Sequence, residues 1–83
     1  MRLDKFLKVS RLIKRRTVAN EITDTGRVFV NGNPAKPAKQ LNEDDIITIE
    51  YATRSLVVKV LKIPAANVSI QEAQTLYEII KEK

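Results

Sequence analysis

With 83 residues, the chain has room for one hydrophobic core and is read as a single domain. Its 43% hydrophobic and 30% charged residues fit a globular fold rather than a disordered one. It has neither cysteine nor histidine, which excludes disulfides, thiolate metal sites and the usual Ser–His or Cys–His nucleophile pairs. No apolar run is long enough for a membrane span or a leader h-region, so a cytoplasmic protein without a membrane partner is expected.

The net charge of +5 is unevenly spread. Residues 1–16 carry seven cations against Asp4 alone, a net +6. Residues 17–39 are near balance at +1, and residues 40–83 carry five basic and seven acidic side chains, a net −2. A cationic end on a mildly acidic body suits a polyanionic partner, of which a polyphosphate backbone is the commonest.

Leu3, Phe6 and Leu7 stand at i, i+3 and i+4 and predict a first helix with one apolar stripe. Asp4 falls off that stripe and is spaced to pair weakly with Lys8. Leu12 and Ile13 are expected to tuck the following connection inward. A second helix is predicted after Arg16, with Thr17 or the residue before it as cap, Val18, Ala19 and Ile22 on one face, and Gly26 as the stop. Val28-Phe29-Val30 then predicts a strand, and Asn31-Gly32 a type I′ hairpin turn, since both residues tolerate positive φ. Phe6 and Phe29 are both expected in the core. Pro34 and Pro37 confine the returning strand to an edge. Leu41 is expected inside, ahead of a turn at residues 42–45.

Ile46 to Tyr51 and Leu56 to Leu61 read as paired strands, the second ended by Pro64. Ser69 and Glu72 form a capping box, which predicts a last helix from Ile70 with Ala73, Leu76, Tyr77 and Ile80 on its apolar stripe and Lys81 and Lys83 near its negative end. The order is α-α-β-β-β-β-α, an α+β fold.

The run Lys14-Arg15-Arg16 breaks a local rule. It sits where a helix begins, and the dipole there disfavours cations by a few tenths of a kcal/mol to about 1 kcal/mol. Such a breach is expected at functional sites. Helix N–H groups and guanidinium forks together form a phosphate site, and Arg binds phosphate bidentately where Lys does not. Glu43, Asp44 and Asp45 read as a solvated turn rather than a metal site, and Gly26 and Gly32 do not make a phosphate loop.

Three blocks at their spacing, Arg2-Leu3-Asp4-Lys5-Phe6-Leu7, Arg15-Arg16-Thr17 and Gly26-Arg27-Val28-Phe29-Val30-Asn31-Gly32, resemble the S-four-type RNA-binding domain of a ribosomal protein, tyrosyl-tRNA synthetases, pseudouridine synthases and heat-shock protein 15. The resemblance runs from Met1 to about Ile49. It implies two N-terminal helices packed on a small bent, mainly antiparallel sheet, with RNA bound on the helices. The family usually has Gly-Asp before the strand at Ile46; this chain has Asp44-Asp45, a substitution the turn tolerates because Asp accepts a left-handed backbone.

Residues 1–17 further resemble the stand-alone bacterial RqcP-like branch related to heat-shock protein 15. That likeness implies a non-enzymatic factor of ribosome-associated quality control. It would bind large ribosomal subunits obstructed by peptidyl-tRNA, touch rRNA and tRNA, and support alanine tailing by an RqcH-like factor. Residues 1–51 would form the RNA-binding core and residues 52–83 an added strand and helix, in a protein expected to be a monomer and to need no cofactor. By position, Arg2 and Arg16 become the principal RNA contacts, Lys5, Arg11, Lys14 and Arg15 support them, and Asp4 orders the arginines. Alternatives are a general heat-shock protein 15-like rRNA binder and a protein-binding adaptor acting through the acidic half. A helix-turn-helix DNA reader fits poorly, because Asn20, Glu21 and Asp24 give its second helix a poor face for a duplex.

Overall fold

The computed structural model describes residues 1–65 and 68–83. Helix α1 spans Leu3–Val9 and α2 spans Arg16–Asp24. Strands β1 (Val28–Val30), β2 (Asn33–Pro34), β3 (Ile46–Glu50) and β4 (Ser55–Val60) follow, then a single helical turn α3 (Ile70–Ala73) and strand β5 (Tyr77–Glu82). The five strands form one antiparallel sheet in the order β2-β1-β3-β4-β5.

The core lies between the helices and one face of this sheet. Leu3, Phe6 and Leu7 of α1 are fully buried, as the i, i+3, i+4 spacing requires, and meet Val28, Ile47, Ile49, Val58 and Val60. Strands β1, β3 and β4 alternate, so Phe29 turns to the opposite face, half-buried and outside the core. In α2, Ala19 and Thr23 face inward and Ile22 is half-buried, while Val18 is 38% exposed and does not join them. Ile13 is buried and Leu12 half-buried, which pins the connection between the helices as expected.

The turns follow from their residues. Asn31 and Gly32 both take positive φ (52° and 84°), and the Asn31 side chain accepts from Ile46 N–H at 2.9 Å and donates to Asp45 at 3.1 Å. One residue thus turns the hairpin and sets the start of β3. Asp44 holds φ 72°, so the left-handed turn survives without glycine, and Asp45 accepts from Asn42 N–H at 2.9 Å. Pro34 lies on β2, an edge strand, where its missing N–H leaves no ladder bond unmade.

The C-terminal segment departs from expectation. Ser69 does cap, accepting from Glu72 N–H at 3.2 Å, but the helix ends at Ala73. Tyr77 to Glu82 pairs with β4 instead, with a bulge opposite Val57 and Val58. Ile70 is 60% exposed and Ile80 53% exposed, so the proposed stripe does not exist; of its members, Ala73 and Leu76 alone are buried. Lys81 lies on the strand and Lys83 just beyond it, at no helix terminus. Two forces decide this. Strand β4 offers a second row of backbone groups that a helix would leave unpaired, and β-branched Ile79 and Ile80 lose little in an extended chain.

Candidate nucleic-acid interface

Helix α1 begins without a side-chain cap. Its first N–H groups are met by a neighbouring loop: Leu3 N–H donates to the Lys39 carbonyl at 2.8 Å and Asp4 N–H to the Pro37 carbonyl at 3.1 Å. The same loop bridges Gln40 to Arg2, and the terminal amine donates to the Gln40 side chain at 3.2 Å. This loop sets where Arg2 leaves the backbone.

Asp4 is the organising side chain. It is 2% exposed, although the helical wheel leaves it off the apolar stripe. Its carboxylate accepts Lys5 N–H at 2.8 Å and a two-pronged contact from Arg2, Nε at 3.2 Å and Nη2 at 3.3 Å. It also accepts from Asn20 Nδ2 at 3.4 Å and pairs with Arg16 Nε at 3.6 Å. The expected pairing with Lys8 is replaced by these partners. A buried carboxylate is costly unless charge and hydrogen bonds compensate it, and here both do. The two arginines stay about half exposed, at 46% and 48%. Asp4 therefore fixes their inner edges and leaves their outer edges to solvent. The arrangement unites the start of α1 with the start of α2, residues fourteen positions apart in sequence.

An open groove of about 520 Å³ runs over this unit, lined by Arg2, Asp4, Arg16, Thr17, Asn20 and Glu21. A second groove shares Arg2 and Arg16 and adds Lys5 and Gln40, with Ile63 and Pro64 as an apolar wall. The N-cap of α2 is Arg15, without a side-chain cap bond, so the first N–H groups of that helix lack a capping side chain where Arg16 stands. Guanidinium groups, helix N–H groups without a side-chain cap and the helix dipole share one open surface, which is what an extended polyanion needs.

Not every expected residue joins. Lys14 and Arg11 line a separate hollow with Lys8, Val9 and Val68, on the far end of α1. Arg15 is exposed at the helix cap and lines neither groove. Gln40, Ile63 and Pro64 escaped sequence reasoning, because nothing local marks them; they reach the groove through the loop that docks on α1 and the segment after β4. Asn20, a poor residue for a DNA-reading face, serves instead as a donor to Asp4.

Among the described residues, no cluster of acidic side chains is grouped to hold a metal ion. Asp44 pairs with Lys59 at 3.5 Å and Asp45 serves the turn. Tyr51 donates its hydroxyl to the Leu12 carbonyl at 3.2 Å, with Arg54 stacked 4.9 Å from the ring centre. Burial pushes the Tyr51 hydroxyl above its ordinary value of 10.0, against the lowering influence of Arg54. Among the described residues, no helix is long and apolar enough to cross a membrane.

Comparison with known proteins agrees with this fold. The S4 domain family matches residues 1–47. The RQC P-site tRNA stabilizing factor of Halalkalibacterium halodurans is 48% identical over the whole chain and 93% of its own length. That of Bacillus subtilis is 45% identical over the whole chain and 95% of its own length. Among solved structures, heat shock protein 15 of Vibrio cholerae superposes with a TM-score of 0.87 at 33% identity, over 95% of this chain and 80% of that one. The chain belongs to the S4 domain family, in the group formed by the RQC P-site tRNA stabilizing factors.

Proposed function

We propose that the protein is a non-enzymatic RNA-binding factor of ribosome-associated quality control. It engages large ribosomal subunits obstructed by peptidyl-tRNA, contacts rRNA and tRNA, and supports alanine tailing of the stalled chain by an RqcH-like factor. It acts in the cytoplasm as a monomer, with residues 1–51 as the RNA-binding core. Arg2 and Arg16 make the principal contacts, with Lys5, Arg11, Lys14 and Arg15 in support. The observation that carries this reading is the Arg2–Asp4–Arg16 unit: one buried carboxylate aligns two half-exposed guanidinium groups at the start of two helices. The names of the full-length relatives support the ribosomal setting.

The test is co-sedimentation with empty small subunits, empty large subunits and large subunits carrying peptidyl-tRNA. The parent should prefer the obstructed large subunit, and Arg2→Ala/Arg16→Ala should lose that preference while keeping its fold. Equal binding to all particles would reduce the protein to a general RNA binder. Asp4→Asn sharpens the assignment. It raises net charge, which alone would strengthen RNA binding, yet it releases both arginines. Weaker binding by Asp4→Asn marks Asp4 as a positioning residue; stronger binding would show that its charge only opposes phosphate.

A further inference from the structure

The two helices end alike, with one difference. Each closes with a left-handed residue just past its C-cap: Gly26 (φ 81°) after α2 and Arg11 (φ 63°) after α1. The bond made by that residue is also alike, Gly26 N–H to the Thr23 carbonyl at 3.1 Å and Arg11 N–H to the Lys8 carbonyl at 3.0 Å. Glycine is the residue this position favours, because a side chain there crowds the backbone. Arg11 is therefore a strained choice, and a strained residue over-determined by its surroundings points toward function.

Its surroundings do hold it. Buried Ser10 donates to the Leu7 carbonyl at 3.2 Å, Ile13 N–H reaches the same carbonyl at 3.0 Å, and Tyr51 ties Leu12 to the sheet. Arg11 shares its hollow with Lys8 and Lys14, over an apolar floor of Val9 and Val68. Among the described residues, no carboxylate pairs with any of the three cations. The helix dipole accounts for Lys8 at the end of α1, but it would be served as well by glycine at 11.

We infer that Lys8, Arg11 and Lys14 form a second phosphate-binding site, independent of the Arg2–Asp4–Arg16 unit, that takes the phosphodiester backbone of a structured RNA. It rests on the reading of the protein as an RNA-binding factor and adds a separate point of contact to it. The two sites lie at opposite ends of α1, a seven-residue helix about 10 Å long. No side chain is common to the two hollows. An RNA held at both is fixed in orientation as well as position.

The experiment measures salt dependence of binding to two probes, deacylated tRNA and empty large subunits, for four proteins: the parent, Lys8→Gln/Arg11→Gly/Lys14→Gln, Arg2→Ala/Arg16→Ala, and the charge-matched control Lys62→Gln/Lys81→Gln/Lys83→Gln. Thermal melts accompany each. The Lys8/Arg11/Lys14 variant should melt close to the parent, since Arg11→Gly relieves the left-handed side chain. Its slope of log K against log salt should fall by about 2 relative to the control, at roughly 0.7–0.9 per lost phosphate. Loss with tRNA alone, with the subunit alone, or with both supports the site and identifies which RNA it holds. A slope equal to the control's, with binding lost in the Arg2/Arg16 variant, overturns the second site and leaves the proposed function standing. A parent with no salt-dependent binding to either probe overturns both.

Discussion

Helix α1 and the C-terminal segment from Ser69 to Lys83 are the two amphipathic ends of this small chain, and they are held in opposite ways. Helix α1 buries Leu3, Phe6 and Leu7 completely, and even its carboxylate Asp4 is sheltered. The C-terminal segment buries Ala73 and Leu76 but leaves Ile70, Ile79 and Ile80 half or more exposed. Its attachment is a backbone ladder along β4. One end is held by side-chain packing and the other by main-chain pairing. The packed end carries its cations on a helix anchored by fully buried side chains. The paired end supplies a cover for β4.

Substitutions separate these modes. Leu7→Ala opens a cavity at a fully enclosed site and should cost about 3–4 kcal/mol in chemical denaturation. A cost below ~1 kcal/mol would show that α1 is not packed as described. Leu76→Ala removes the chief apolar anchor of the C-terminal segment and should cost about 2–3 kcal/mol, whereas Ile80→Ala, on an exposed position, should stay within ~0.5 kcal/mol. Equal costs at Leu76 and Ile80 would erase the contrast between anchor and cover. Ser69→Ala deletes the cap of α3 and should cost about 1 kcal/mol or less, since the helix it starts is a single turn.

A small effect is also expected at the hydrogen bond that ties the loop after α1 to the sheet. Tyr51→Phe should cost about 0.5–1 kcal/mol at neutral pH through loss of the bond to the Leu12 carbonyl. It should also change the alkaline limb. The folded hydroxyl titrates above 10.0, so the unfolded chain releases its proton first as pH rises. Stability contributed by the protonated form is present below pH ~10 and falls above it. Tyr51→Phe should flatten that decline, measured as denaturant midpoints across alkaline pH. An unchanged decline would mean that other groups govern it.

Much of the N-terminal site was legible in the residues. The spacing of Leu3, Phe6 and Leu7 placed the first helix, and the cations around it marked a polyanion surface. What the pattern missed was mostly long-range. A helical wheel treats Asp4 as a surface residue because it knows nothing of Asn20 or Arg16 on the next helix. Arg11 drew attention as a charge, but its left-handed backbone arises from closing α1 against the sheet. Gln40 and Pro64 enter the groove through segments distant in sequence.

The sequence by itself determined the α+β class, the hairpin at Asn31-Gly32, the edge placement of Pro34 and the concentration of charge in residues 1–16. Those follow from local rules: side-chain period, tolerance of positive φ, a missing N–H, and fixed ionisation. Only the tertiary structure decided the fate of residues 74–82, where one apolar pattern fits a helical stripe and a strand alike. The open edge of β4 chose the strand, because its N–H and C=O groups need partners that a helix would have kept to itself. The tertiary structure likewise gathered Arg2 and Arg16 on one buried carboxylate, because that charge is stable inside only where two helices bring opposite charges to meet it.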